Sequence, residues 1–192
     1  MSIRHGLLAL LEDGPRYGYQ LRAEFESRTG GTWPLNVGQV YTTLARLERD
    51  ELVEPAGADD EGHVFYALTA GGRTEVRTWF ATPVQRESRP RDELAIKLAL
   101  AITTPGVDVR AVVQRQRTDT LRALRDYTRL KVRAGEPDLA WLLVLDSLIF
   151  QAEAEVRWLD HCEARLARRS PAPSPSRTRT GGARRTTEEA SR

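Results

Sequence analysis

Cysteine is nearly absent. One thiol, Cys162, in 192 residues excludes an internal disulfide framework and fits a reducing compartment. Long apolar runs are missing as well. The run near the N-terminus, Leu7 to Leu11, spans five residues and meets Glu12 and Asp13 at once. That excludes a signal-peptide core and a membrane span, and points to a soluble, cytoplasmic chain. Patterns of catalysis and metal binding are equally scarce. His5, His63 and His161 are scattered, and the adjacent His161 and Cys162 would leave a helix on different faces, so no metal or cofactor is expected. Gly30-Gly31 and Gly71-Gly72 lack the spacing and the lysine of a phosphate-cradling loop. No Ser, Cys or Lys has an evident base partner. An enzyme is not expected.

Neither charge dominates. The chain carries 29 Lys+Arg and 27 Asp+Glu, a net charge of +2, which suits one or two small domains without a strong polyanion bias. The distribution is uneven. Residues 1–84 hold eight arginines against twelve acids, the reverse of a typical nucleic-acid-binding module. The acids cluster, however: Glu12 and Asp13 end the first predicted helix, and Asp59, Asp60 and Glu61 share a turn. Local sign matters more than the total within a Debye length of ~8–10 Å.

What the chain does have is helical periodicity, strongest between Asn36 and Val53. Val37, Val40, Tyr41, Leu44 and Leu47 recur at the spacing of one helix face. Asn36 is placed to cap the helix, with Gln39 to return a bond to the cap, and Pro34 stops a helix from running in. The opposite face carries Gln39, Thr42, Thr43, Arg46 and Arg49, with Asp50 at its far end. Such a face suits base edges and phosphates. Taken alone, it also fits a half-buried helix with a solvated side.

The neighbours sharpen the reading. Ile3 to Leu11 predicts a helix with Ile3, Leu7, Leu8 and Leu11 inward, ended by Gly14-Pro15. Gly18 to Arg28 predicts a second, with Tyr17, Leu21 and Phe25 on one side, Tyr19 beside them, and Gly30-Gly31 closing it. Three short helices with tight breaks make a helix-turn-helix. Leu52 to Pro55 reads as extended, Ala56 to Gly62 as a turn, and His63 to Leu68 as a β-branched and aromatic strand, together a two-stranded wing. Thr69 caps a fourth helix through Val76, Trp79 and Phe80, ending at Pro83.

Beyond it the chain is helical. Asp92 to Thr103 is apolar at Leu94, Leu98, Ala101 and Ile102. A long helix from about Val107 to Ala134 sets Val109, Val113, Gln116, Thr120, Leu124 and Tyr127 near heptad spacing, and Gly135 to Pro137 makes a turn. Leu139 to Arg168 carries Leu142, Leu145, Ile149, Ala152, Val156, Leu159 and Leu166 in a coiled-coil-like seam. Two such stripes call for a second subunit or for an intramolecular three-helix bundle. The cations of the first long helix read as a solvated face paired with Glu153, Glu155, Asp160 and Glu163, or as a direct DNA contact. Residues Ser170 to Arg192 have no apolar face and are expected to be disordered. Arg177, Arg179, Arg184 and Arg185 there would add non-specific attraction to DNA, or merely solubility. The expected fold is mainly α: a winged helix-turn-helix over 1–83, a helical dimerisation and effector domain over 84–169, and a tail over 170–192.

The ordered set YGYQL, VYTTLARLERDELV, FYALTAGGR and RDELAIKLAL, covering roughly residues 3–103, resembles the PadR family of winged-helix transcriptional regulators. The resemblance implies a homodimeric, ligand-responsive repressor of a palindromic operator in double-stranded DNA. It implies DNA contacts from Gln39, Thr42, Thr43, Arg46 and Arg49. Tyr17, Tyr19 and Tyr41 would touch the backbone or brace the helix, and His63 would serve the wing. PadR-like wings often carry several basic residues, whereas this turn reads Asp-Asp-Glu-Gly-His, with His63 its one potential cation. Effectors in the family are often flat aromatic or drug-like molecules near the dimer interface, which makes Trp141 and Trp158 stacking candidates or, alternatively, packing residues. The rival reading from another class is a winged helix that docks a protein, and the polar centre of the recognition face weighs against it.

Overall fold

A computed structural model of the chain describes residues 3–84, 92–134 and 138–169. Helix α1 (Ile3–Leu10) buries Leu7, Leu8 and Leu10. It tightens into a 3₁₀ turn at Leu11–Asp13, one residue short of the expected end, because Gly14 reverses the chain at φ 129° ahead of Pro15. Helix α2 (Gly18–Arg28) occupies its expected span and buries Leu21. Tyr19 turns outward, 57% exposed, because two positions from Leu21 is roughly 200° around a helix.

Helix α3 (Val37–Arg49) starts where Asn36 Oδ1 accepts the Gly38 N–H at 2.8 Å. The cap therefore reaches the second helical N–H instead of the third, and Gln39 does not return a bond to it. At the far end Glu51 takes the left-handed conformation at φ 57°, and the Leu52 N–H closes on the Leu47 carbonyl at 2.9 Å. The inner face of α3, Val40, Leu44 and Leu47, is fully buried with Leu7, Leu8, Leu21, Leu35, Val53, Leu68 and Val76. Each such aliphatic contributes about 1.5–3 kcal/mol.

Strands β1 (Val53–Ala58) and β2 (Val64–Leu68) pair antiparallel, Val53 with Leu68 and Pro55 with Tyr66, with a bulge between Pro55 and Ala58. β1 runs three residues past the expected Pro55. β2 starts at Val64 and not at His63, because Asp59 Oδ1 takes the His63 N–H at 2.8 Å and ties that residue to the turn. Arg16 exchanges both backbone bonds with Tyr66, at 3.1 and 3.0 Å, so the stretch before α2 adds to the open edge of β2. Helix α4 (Ala70–Ala81) is capped by Thr69, which accepts the Gly72 N–H at 3.0 Å. Gly72 packs directly on the Leu52 carbonyl, a space no side chain fits.

In the C-terminal half, α5 (Glu93–Ala101) and α6 (Val109–Arg133) are capped by Asp92 and Asp108. Helix α7 (Leu139–Arg169) runs antiparallel to α6, as the pairs Arg117–Asp160 (2.6 Å) and Lys131–Asp146 (2.5 Å) require. Val113, Leu145 and Leu159 are buried, and Leu98 of α5 joins Val113 and Leu159 in a small second core. Of the four acids expected to face α6 cations, Asp160 does so. Glu155 instead accepts from Gln116 and Thr120, and Glu153 and Glu163 make no ion pair among the described residues. Arg122 and Arg129 pair within α6, with Asp119 and Asp126. One side of α7 stays bare: Leu139, Leu143 and Phe150 are 62–68% exposed. The expected turn at 135–137 and the expected disorder of 170–192 lie outside the described residues. None of the described helices is long and apolar enough to cross a membrane.

Candidate nucleic-acid interface

The outward face of α3 is set by its buried one. With Val40, Leu44 and Leu47 locked inward, Gln39, Thr42 and Arg46 are exposed and Thr43 is half-exposed. Gln39 and Arg46 have no side-chain partner among the described residues, so both are free to bond outside the molecule. Thr42 Oγ1 donates to the Gly38 carbonyl and Thr43 Oγ1 to the Gln39 carbonyl, each at 2.7 Å, which leaves their methyls and lone pairs outward. Arg49 is committed: its Nε and Nη2 donate to Asp50 Oδ1 at 3.2 and 3.1 Å. Asp50 also accepts from Arg4 of α1 at 2.7 Å, and Arg4 first, then Arg49, holds its carboxyl below the usual carboxylate range.

Tyr41 is 40% exposed, and its ring lies on Gly18 at the start of α2, where a Cβ would come within 2.7 Å of it. The ring braces α2 against α3. Tyr17 and His63 meet each other: their rings stack at 4.7 Å with an interplanar angle of 21°, and Phe65 stands edge-on to Tyr17 at 5.4 Å. His63 Nδ1 lies 2.9 Å from Asp59 Oδ2, while Asp59 Oδ1 takes the N–H groups of Glu61 and His63. The His63 N–H foremost lowers the Asp59 carboxyl below its ordinary range. The wing is thus fastened beside its turn, and that turn is acidic at Asp59, Asp60 and Glu61. Tyr19 is exposed, with the Arg22 guanidinium 6.0 Å above its ring. Among the described residues no three of His, Cys, Asp and Glu gather as a metal site.

Residues 7–78 match the transcriptional regulator PadR-like family, and residues 90–167 match the virulence activator alpha C-terminal family. Residues 7–78 thus form a PadR-like family domain. It is 27% identical over 179 residues to the probable transcriptional regulator Rv1176c of Mycobacterium tuberculosis, a match spanning 83% of this chain and 95% of that protein. Two solved structures share the fold. Bacillus subtilis PadR in complex with operator DNA aligns with a TM-score of 0.65 at 19% identity, over 85% of this chain and 97% of that one. The same protein in complex with p-coumaric acid aligns with a TM-score of 0.69 at 20% identity, over 86% and 98%. The chain is a PadR-like transcriptional regulator with a winged-helix fold.

Trp141 and Trp158 do not meet within one chain, being about 25 Å apart along α7. Trp158 is 36% exposed. Trp141 reaches the N-terminal half instead. Its indole lies on Gly30 in the turn between α2 and α3, so closely that a Cβ there would fall inside the ring system. The double glycine marked that turn in the sequence, but nothing in it pointed to a tryptophan far along the chain. The same holds for Gly18 under Tyr41.

Proposed function

We propose that the chain is a homodimeric repressor that binds a palindromic operator in the cytoplasm and releases it when a small aromatic ligand binds. The α3 face carries this reading. Gln39 and Arg46, free of internal partners, would meet base edges in the major groove, with Thr42 and Thr43 beside them and Arg49 on the adjoining phosphates. Tyr41 and the stacked Tyr17–His63 pair would hold α3 and the wing at their working angle, and Tyr19 with Arg22 would lie against the backbone. The DNA-binding unit spans 1–83. The unit over 84–169 dimerises through the bare side of α7, where Leu143, Phe150 and Trp158 need cover, and two copies related by a two-fold axis match a two-fold site. Binding of p-coumaric acid by Bacillus subtilis PadR supports an aromatic effector here, with Trp158 at the subunit contact and Trp141 at the junction as stacking residues.

The test is an anisotropy titration with duplex DNA from the protein's own promoter and with a scrambled duplex, at two salt concentrations. Promoter-selective binding that weakens in Arg46→Ala is expected. Equal, steeply salt-dependent binding to both duplexes would leave only non-specific electrostatics and favour a protein-docking role for the winged helix.

A further inference from the structure

Away from the recognition face, α6 and α7 part around a groove of about 260 Å³. It opens where Ala123 of α6 and Ala152 of α7, too small to fill the space, stand beside Tyr127 and Leu148. Its other end is polar. Thr120, 7% exposed, donates to Glu155 Oε1 at 2.5 Å, and Gln116 Nε2 donates to the same oxygen at 2.9 Å. The second Glu155 oxygen has no partner among the described residues. Asp119 and Gln151 complete the lining, and no Lys, Arg or His is part of it. Asp119 is paired with Arg122 at 2.9 Å on the exposed outer side, and Gln151 bonds Ser147 at 2.9 Å. The seam between α6 and α7 thus holds a carboxylate whose two internal donors are both neutral. A purely structural layer would be as well served by a neutral acceptor, which carries a lower desolvation cost.

We infer that this groove binds a small organic cation, an ammonium or amidinium on a short aromatic or aliphatic body. The cation would sit at the open oxygen of Glu155 and the body on Tyr127, Ala123 and Leu148. The size fits a fragment, since pockets for drug-sized ligands run from ~300 to 1,000 Å³. An anion such as p-coumarate would meet Glu155, which has no cation to offset it. Leu143 and Phe150, on the bare side of α7, lie a third of a turn or more from Glu155 on a helix with about 3.6 residues per turn, while Trp158 lies about a sixth of a turn from it, so a second copy seated on that side would border the groove. The inference does not depend on operator binding and is tested without DNA.

Calorimetric titration of the full chain with phenethylammonium, 2-phenylethanol and 3-phenylpropanoate compares one hydrocarbon body carrying a positive, a neutral and a negative end. The cation should bind at one saturable site per chain, ~10- to 100-fold more tightly than the alcohol, and the carboxylate should not bind. Glu155→Gln keeps an acceptor for Thr120 and Gln116 and removes only the charge, so it should cost the cation the same ~10- to 100-fold. Ala123→Leu fills the groove without touching the polar layer and should abolish binding. Circular dichroism confirms that each variant is folded. Equal binding of the three compounds, cation binding undiminished in Glu155→Gln, or no saturable cation binding would each overturn the inference.

Discussion

Gly30 and Gly31 form a natural controlled pair. Both hold left-handed backbone, φ 58° and φ 68°, so an alanine at either costs about 1–2 kcal/mol in conformation. Around Gly31 a Cβ meets nothing within 4 Å, whereas at Gly30 it enters the indole of Trp141. Gly30→Ala must therefore also expel a half-buried tryptophan. If roughly 100 Å² of indole returns to water, that adds about 2.5 kcal/mol at ~25 cal/mol per Å². Thermal melts followed by tryptophan fluorescence should place Gly31→Ala about 1–2 kcal/mol below the parent and Gly30→Ala about 3.5–4.5 kcal/mol below it. Only Gly30→Ala should shift the native emission to the red. In a Trp141→Ala background the Gly30 penalty should shrink to that of Gly31, because the extra cost belongs to the pair. Equal penalties at the two glycines, or an undiminished Gly30 penalty without Trp141, would refute the contact as the source.

Arg46→Ala is expected to weaken promoter binding by about 1–3 kcal/mol, roughly 5- to 150-fold, if its guanidinium bonds a guanine. Arg49→Ala should cost less, since Arg49 must first leave Asp50; the reverse ranking in anisotropy titrations would contradict the assignment. Gly18→Ala should lower operator affinity with little loss of helix content, because its Cβ would push the Tyr41 ring from 2.7 Å out toward ordinary contact; unchanged affinity would count against the brace. Asp13, Glu26, Asp50 and Asp59 are all held below the usual carboxylate range, by Arg28, Arg22, Arg4 and the His63 N–H respectively. Their stabilising contribution is complete above about pH 5 and is lost as pH falls through the lowered values, so melting points at pH 3 and pH 7 should differ, and equal ones would refute it.

The recognition helix was legible because its causes are local: an apolar spacing, an Asn cap and a proline before it. The polar layer was half legible. Gln116 and Thr120 stood out as polar members of the α6 seam, but their partner Glu155 follows only from the antiparallel register of α7. The length of β1 was hidden, since Ala56-Gly57-Ala58 carries no pattern and is extended by its partner strand alone. Tyr19 was set beside the apolar side of α2, whereas helical phase turns it outward, opposite Leu21. Gly18 and Gly30 owe their identity to rings distant in sequence, which periodicity does not register.

The two threonines of α3 have a last consequence. Each has spent its hydroxyl proton on its own helix, so the middle of the face offers methyl groups where a pair of donors would have been read from the letters. In the proposed major-groove contact, the complement of those methyls is the 5-methyl of thymine. Uracil in place of thymine would keep every hydrogen bond of the duplex and remove only that methyl. An operator rebuilt with uracil opposite Thr42 and Thr43 should bind less well, with no change in its dependence on salt.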